Sequence, residues 1–357
     1  MNTLNKQKLW QALSEQGLVT GELPTDFLPA PWYVRTMQGI AGWIGALFIM
    51  GFFGAMLDDF LRDEIFELSI GGLLCVLTGF IFHIARHNDF AQQFGLAMSF
   101  AGQGFFMFGL FEIFKHDSEQ IVFFTVFVFQ ALLSVFIANS IHRVLTSSAA
   151  MIALMLFLHG LGIYGLISGI TALGLALIWM NEKYWAVHGF ILRPIGYGLA
   201  LALLQFEVLH LFSGIDFGDW FHAEKTWMML HAPLIGTLLV AITFIWVIIE
   251  LLKKSQIALD SHTALFALTA ALILCLLSFV AKGLVTALLI LLLGFNVQSR
   301  VLMGLGLAAL LGFLGRYYYL LEFTLLFKSI VLFLTGLVLL SIRFALNKFL
   351  YTENHHA

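Results

Sequence analysis

The chain is 357 residues long; 61% of them are hydrophobic, 11% are charged, and the formal net charge is -3. Soluble domains carry about 45–50% apolar and about 25% charged residues, so a soluble globular enzyme and a disordered chain are both excluded. The small net charge gives no basis for binding nucleic acid. What remains is an all-α fold, a polytopic transmembrane helix bundle whose first partner is the lipid bilayer.

Residues 1–31 read as a cytoplasmic N-terminal helix followed by a Pro-rich linker. Leu4, Leu9, Trp10 and Leu13 recur at helical spacing and Gly17 ends the run. Pro24, Pro29 and Pro31 then impose extended backbone. Trp32, Tyr33 and Arg35 mark a membrane interface, where aromatic rings and long cations settle. The first apolar run starts near Thr36 and is too long for the apolar core of a cleaved leader, so it is expected to stay in the membrane.

A helix needs about 20 mostly apolar residues to cross about 30 Å of hydrocarbon. Applied to residues 32–350, that window predicts about 12 spans: 36–57, 68–85, 93–113, 121–138, 144–160, 163–181, 194–212, 233–251, 262–280, 283–297, 300–317 and 323–346. Residues 351–357 form a short tail. The joint between the fifth and sixth spans, His159-Gly160-Leu161-Gly162, is short and uncharged, and the tenth span is also short, so ten or eleven spans are the alternatives. The runs are continuously apolar rather than alternating, which excludes a barrel. Both halves, 36–182 and 194–350, begin after a basic residue (Arg35, Arg193) and emerge into an acidic loop, the pattern of a six-plus-six repeat. The loop 213–231 holds Asp216, Asp219, Glu224 and Lys225 and is expected to lie along the outer surface rather than to span.

Twelve spans divide the cations unevenly. Twelve Lys and Arg fall on one side, from Lys6 and Lys8 through Arg86 and Arg143 to Lys348. Five fall on the other: Arg62, Lys115, Lys225, Lys282 and Arg316. Positive charge stays inside, so both termini are expected in the cytoplasm.

Three stretches carry a resemblance: KLWQALSEQGLV at 8–19, PWYVRTMQGIAGWIGALFIMGFFG at 31–54, and LGRYYYLLEFTLLFKSIVLFLTGLVLL at 314–340. Together they resemble a bacterial inner-membrane family of unknown function, domain of unknown function 4401. The resemblance implies a multi-pass protein of the inner membrane of Gram-negative bacteria. It also implies a membrane complex with a neighbouring multi-span protein. It supplies no catalytic residues.

Ionisable groups inside a span are costly and are functional candidates by default. Glu207 and Lys328 are the two, and counting residues from the span ends puts both roughly 10 Å below the outer boundary. We expect a charged pair, either coupling transport or locking two helices; the alternative is that Lys328 snorkels to the outer interface beside Tyr317, Tyr318 and Tyr319. His210, one turn after Glu207, and Gln205, Arg316 and Glu322 are the nearby polar candidates. Glu207 and His210 make one E-x-x-H, whereas di-iron bundles need two, so no metal or other cofactor is assigned. Cys75 and Cys275 sit in apolar runs and read as small buried hydrophobes. Small residues repeat at Gly39/Gly42/Gly45, Gly165/Gly169 and Gly304/Ala308/Gly312, spacings that let helix backbones approach.

Nucleotide, serine-hydrolase and zinc-protease motifs are absent. The sequence therefore favours a secondary-transporter or permease-like protein. The alternative is a non-transporting scaffold subunit of an inner-membrane envelope complex. An enzyme acting on lipid comes third, since no catalytic pair is recognisable.

Overall fold

The computed structural model describes residues 10–17, 19, 21, 32–56, 63–85, 88–114, 119–212, 227–279 and 281–320. Among them every regular element is helical. Residues 10–15 are helical and Gly17 ends that turn at φ 67°. Eleven longer helices follow: α1 Trp32–Met56, α2 Glu64–Ile84, α3 Asp89–Ile113, α4 Glu119–Phe136, α5 Ser140–Gly160, α6 Leu166–Met180, α7 Gly189–Phe212, α8 Ala232–Lys254, α9 His262–Ser278, α10 Leu284–Asn296 and α11 Arg300–Leu320. They coincide in order with the first eleven predicted spans; residues 323–346, the twelfth, lie outside the described residues. Of the loop 213–231, only the short helix Trp227–Leu230 and His231 are described.

Seven of these helices are long and apolar enough to cross a membrane: α2, α3, α4, α5, α7, α8 and α11. Shorter apolar stretches are Thr36–Phe52 within α1, and α6, α9 and α10. The 13 residues of α10 rise only about 20 Å, well short of a hydrocarbon core of about 30 Å.

Helix ends are set by local chemistry. Asp63 caps α2 by accepting from the N–H groups of Ile65 and Phe66 at 2.9 and 3.0 Å. Asn139 caps α5 through His142 N–H, and Ser261 caps α9 through Ala264 N–H. The uncharged joint between the fifth and sixth spans is a true break. Gly162 takes φ 75°, and Ile163 N–H bonds back to Leu158 O at 2.9 Å, a left-handed stop that closes α5. The same stop ends α8 and α10, but there glutamines carry the positive φ: Gln256 at 57° and Gln298 at 54°.

The chain falls into two compact units, Met1–Phe108 and Gly109–Ala357. In the first, α1 meets α3 at Gly42, where an added Cβ would stand 2.9 Å from Phe90 O. Helix α2 meets α3 at Gly71 and Gly102, where Gly102 O lies 2.6 Å from a Cβ built on Gly71. Phe82, Cys75, Leu96 and Ala97 are buried there.

In the second unit α7 is central: it packs on α5 and α6 and touches α4, α10 and α11. One apolar core joins Trp179 and Leu175 of α6, Leu203 and Phe206 of α7, Val240 and Phe244 of α8, and Leu289, Ile290 and Leu293 of α10. The expected Gly165/Gly169 stripe forms the α6–α8 contact, against Ala232 and Leu239. The Gly304/Ala308/Gly312 stripe does not pack this way. All three residues are exposed, and a Cβ on Gly304 or Gly312 would meet nothing within 4 Å among the described residues. Gly306, on the other side of α11, makes the close approach, to the Leu291 backbone at 2.7 Å.

Candidate functional site

Helix α7 carries three side-chain hydrogen bonds to other elements of the second unit. Its Gln205 and Glu207 are two residues apart, which turns them about 200° from each other around the helix. Gln205 Oε1 accepts from the Ser148 hydroxyl of α5 at 2.7 Å. Glu207 Oε1 accepts from the Thr286 hydroxyl of α10 at 2.7 Å. Nearer its start, the Tyr197 hydroxyl bonds Ser299, in the turn after α10, at 2.9 Å. The two candidates therefore serve different interfaces, and only Glu207 is fully buried, at 8% exposure.

The surroundings of Glu207 explain how a carboxyl is held there. Thr286 stands in the first turn of α10, where backbone N–H groups lack intrahelical partners and the helix dipole is positive. Gly283, just ahead of it, is left-handed at φ 83° and lies under the Phe313 ring, 2.8 Å from an added Cβ, so a side chain there would be strained and crowded. Lys282 is exposed at that turn. Glu207 is thus met by a hydroxyl donor in the first turn of a helix, one turn on from an exposed lysine. Buried polar groups need such partners. Neither Thr286 nor the Lys282 turn was singled out in sequence: a threonine in an apolar run carries no distinguishing pattern.

Of the other expected residues, Arg316 is half-buried on α11. His210 belongs to α7, but its side chain is outside the described set. Glu322 and Lys328 lie outside the described residues, and so does the expected Glu207–Lys328 pair. Among the described residues no three His, Cys, Asp or Glu side chains come together to hold a metal.

A second polar feature was hidden in the sequence. Arg143, counted there as a loop cation, is buried at 5% exposure. Its Nη1 donates to Phe190 O at 2.8 Å and its Nη2 to Val135 O at 3.2 Å, with the guanidinium 5.6 Å over the Phe190 ring. Both carbonyls are orphans. Val135 is in the last turn of α4, where carbonyls have no helical donor. Phe190 is four residues before Pro194, which lies inside α7 and has no N–H to give it. One side chain thus closes two helix defects.

Other ends are closed in the same way. Gln120 Nε2 donates to Gly160 O, Trp185 Nε1 to Ile178 O, and Lys254 Nζ to Met180 O at 2.9, 2.8 and 2.7 Å. In lipid no water can do this work, so side chains must.

No curated protein and no solved structure matches the chain. A family model, the domain of unknown function DUF4401, matches residues 31–349. That stretch takes in every described helix from α1 to α11, and the chain belongs to the DUF4401 family.

Proposed function

We propose that the chain is a multi-pass protein of the bacterial inner membrane, with about twelve spans and both termini in the cytoplasm, and that it works as a secondary transporter or permease. The observation that carries this reading is Glu207: a buried carboxyl on the central helix, bonded to Thr286 at the start of a helix too short to span. Broken or short helices whose ends meet a buried ionisable group are how transporters build a coupling site. Lys282 stands at the approach to that site, and Lys328 is the second cation proposed to share it, with Arg316, Glu322, Gln205 and His210 around them.

The test is access. In a chain with Cys75 and Cys275 replaced by alanine, Glu207→Cys should react with a small, membrane-impermeant methanethiosulfonate added from outside. Glu207→Cys that stays unreactive from both sides in folded protein would remove the transport reading. Impermeant labelling at Ser14→Cys from inside only, and at Ser213→Cys from outside only, checks the orientation.

A second reading, a scaffold subunit, is favoured by α11. Its Gly304/Ala308/Gly312 face is exposed, and Gly304 and Gly312 have no close neighbour among the described residues, which suits a helix of a neighbouring membrane protein. Gly304→Leu and Gly312→Leu would then lower recovery of a complex without affecting the folding of the chain itself.

A further inference from the structure

The loop between α6 and α7, residues 181–188, is short and wound. Tyr184 N–H bonds Asn181 O at 2.9 Å, His188 N–H bonds Trp185 O at 2.8 Å, and Gly189 N–H bonds Ala186 O. Each bond spans three residues, so side chains three apart share one side of the loop. Tyr184, Val187 and Phe190 are such a set, and they are 90%, 84% and 63% exposed. The loop is held from behind. Trp185 gives its indole N–H to Ile178 O, Glu182 pairs with Arg193 at 2.6 Å, and the Arg143 guanidinium lies over the Phe190 ring. Three largely apolar side chains therefore stand outward on a fixed frame, an arrangement that water disfavours.

Two observations say what covers them. The first is depth. Lys254 is the last residue of α8, a helix long and apolar enough to cross a membrane. Its Nζ donates to the carbonyl of Met180, the last residue of α6. The loop thus starts at the level where a crossing ends, and the headgroup layer beyond that level is only about 5–8 Å thick. Aromatic rings settle in that layer. The second is charge. Glu182 is paired with Arg193 and Glu250 with Lys253. Of the six charged side chains at 182, 183, 193, 250, 253 and 254, this leaves Lys183 and Lys254 in excess, which suits an anionic surface.

We propose that residues 183–190 anchor the chain in the leaflet where α8 ends. Tyr184, Val187 and Phe190 enter the boundary between headgroups and acyl chains, and Lys183 and Lys254 meet the phosphates of anionic phospholipid. The anchor rests on the multi-pass reading but not on transport at Glu207.

The test uses the full-length chain with Cys75 and Cys275 replaced by alanine. A bimane probe is attached at Val187→Cys or, as a reference, at Ile242→Cys, an exposed position midway along α8. Each protein is placed in nanodiscs of phosphatidylcholine with or without phosphatidylglycerol. Quenching is read with nitroxide lipids labelled near the headgroup or at mid-chain, and with acrylamide, a neutral quencher in water. The Val187 probe should be quenched best by the shallow nitroxide and the Ile242 probe by the deep one. Lys183→Gln in the presence of phosphatidylglycerol should lower the ratio of inserted to exposed Val187 probe about fivefold, the equivalent of about 1 kcal/mol. Tyr184→Asp, at the most exposed position of the row, should open the probe to acrylamide in both lipids. A Val187 probe open to acrylamide in both lipids, with the Ile242 probe in hydrocarbon, would overturn the proposal and leave the loop to a soluble partner. Insertion that ignores both phosphatidylglycerol and Lys183→Gln would overturn the assignment of an anionic surface. An Ile242 probe open to acrylamide would instead remove the multi-pass reading, and the anchor with it.

Discussion

Within Met1–Phe108, the tight helix contacts are backbone against backbone: Gly71 on Gly102 between α2 and α3, and Gly42 on the Phe90 carbonyl between α1 and α3. Within Gly109–Ala357, helices also meet over glycines, but polar side chains finish several helix ends, a device also seen in the first unit where Gln92 donates to the Ala85 carbonyl at 3.1 Å. Arg143 takes two carbonyls, and Gln120, Trp185 and Lys254 take one each. The difference shows two answers to one constraint. Apolar surroundings give helices no hydrophobic reason to associate and no water to satisfy free backbone groups. Small residues solve the first problem by contact. Long polar residues solve the second, and in doing so Gln120, Arg143 and Lys254 tie neighbouring helices together.

The largest expected effect breaks the first arrangement. Gly71→Leu drives a side chain into the Gly102 carbonyl and the Phe106 backbone. Overpacking typically costs about 1–3 kcal/mol and more where backbone must move, so thermal unfolding in detergent should show a loss at or above about 3 kcal/mol. Gly304→Ala, on the exposed face of α11, is the control, expected to be neutral or stabilising by up to about 1 kcal/mol.

Next, Arg143→Met leaves the Val135 and Phe190 carbonyls unsatisfied. At about 1–3 kcal/mol for each buried orphan, a loss of about 3 kcal/mol is expected in the same measurement. Thr286→Val removes the hydroxyl donor to Glu207 and should cost about 1–2 kcal/mol, while Thr286→Ser should restore most of it. The smallest effect has the opposite sign. Gln298 holds a left-handed φ that glycine adopts without strain, so Gln298→Gly should raise stability by up to about 1 kcal/mol.

The helices were legible in the sequence because apolar runs of span length need no neighbours to be recognised. The first eleven runs correspond to α1–α11, including the doubtful joint at Gly162, where a glycine beside an uncharged turn proved to be a left-handed helix stop. The site was legible only in part. Glu207 was found because a lone carboxylate in an apolar run is conspicuous. Thr286 was missed because hydroxyls in such runs usually bond their own helix, as Thr146, Thr171 and Thr243 do here. Arg143 was misplaced because position near a span end makes a cation look like a loop residue. The residue that frees the Phe190 carbonyl is Pro194, 51 residues after Arg143, and only the packing of α5 against α7 brings Arg143 to that carbonyl.

The most direct test of polar side chains as closures for helix defects is therefore a double-mutant cycle between Arg143 and Pro194, read as unfolding free energy in detergent. Pro194→Ala returns an N–H to α7 that can reach the Phe190 carbonyl, so that carbonyl no longer depends on Arg143. Arg143→Met should then cost about 1 kcal/mol less in the Pro194→Ala background than in the native chain. Equal cost in both backgrounds would mean that Arg143 does not serve the carbonyl freed by the proline, and would contradict the role assigned to it here.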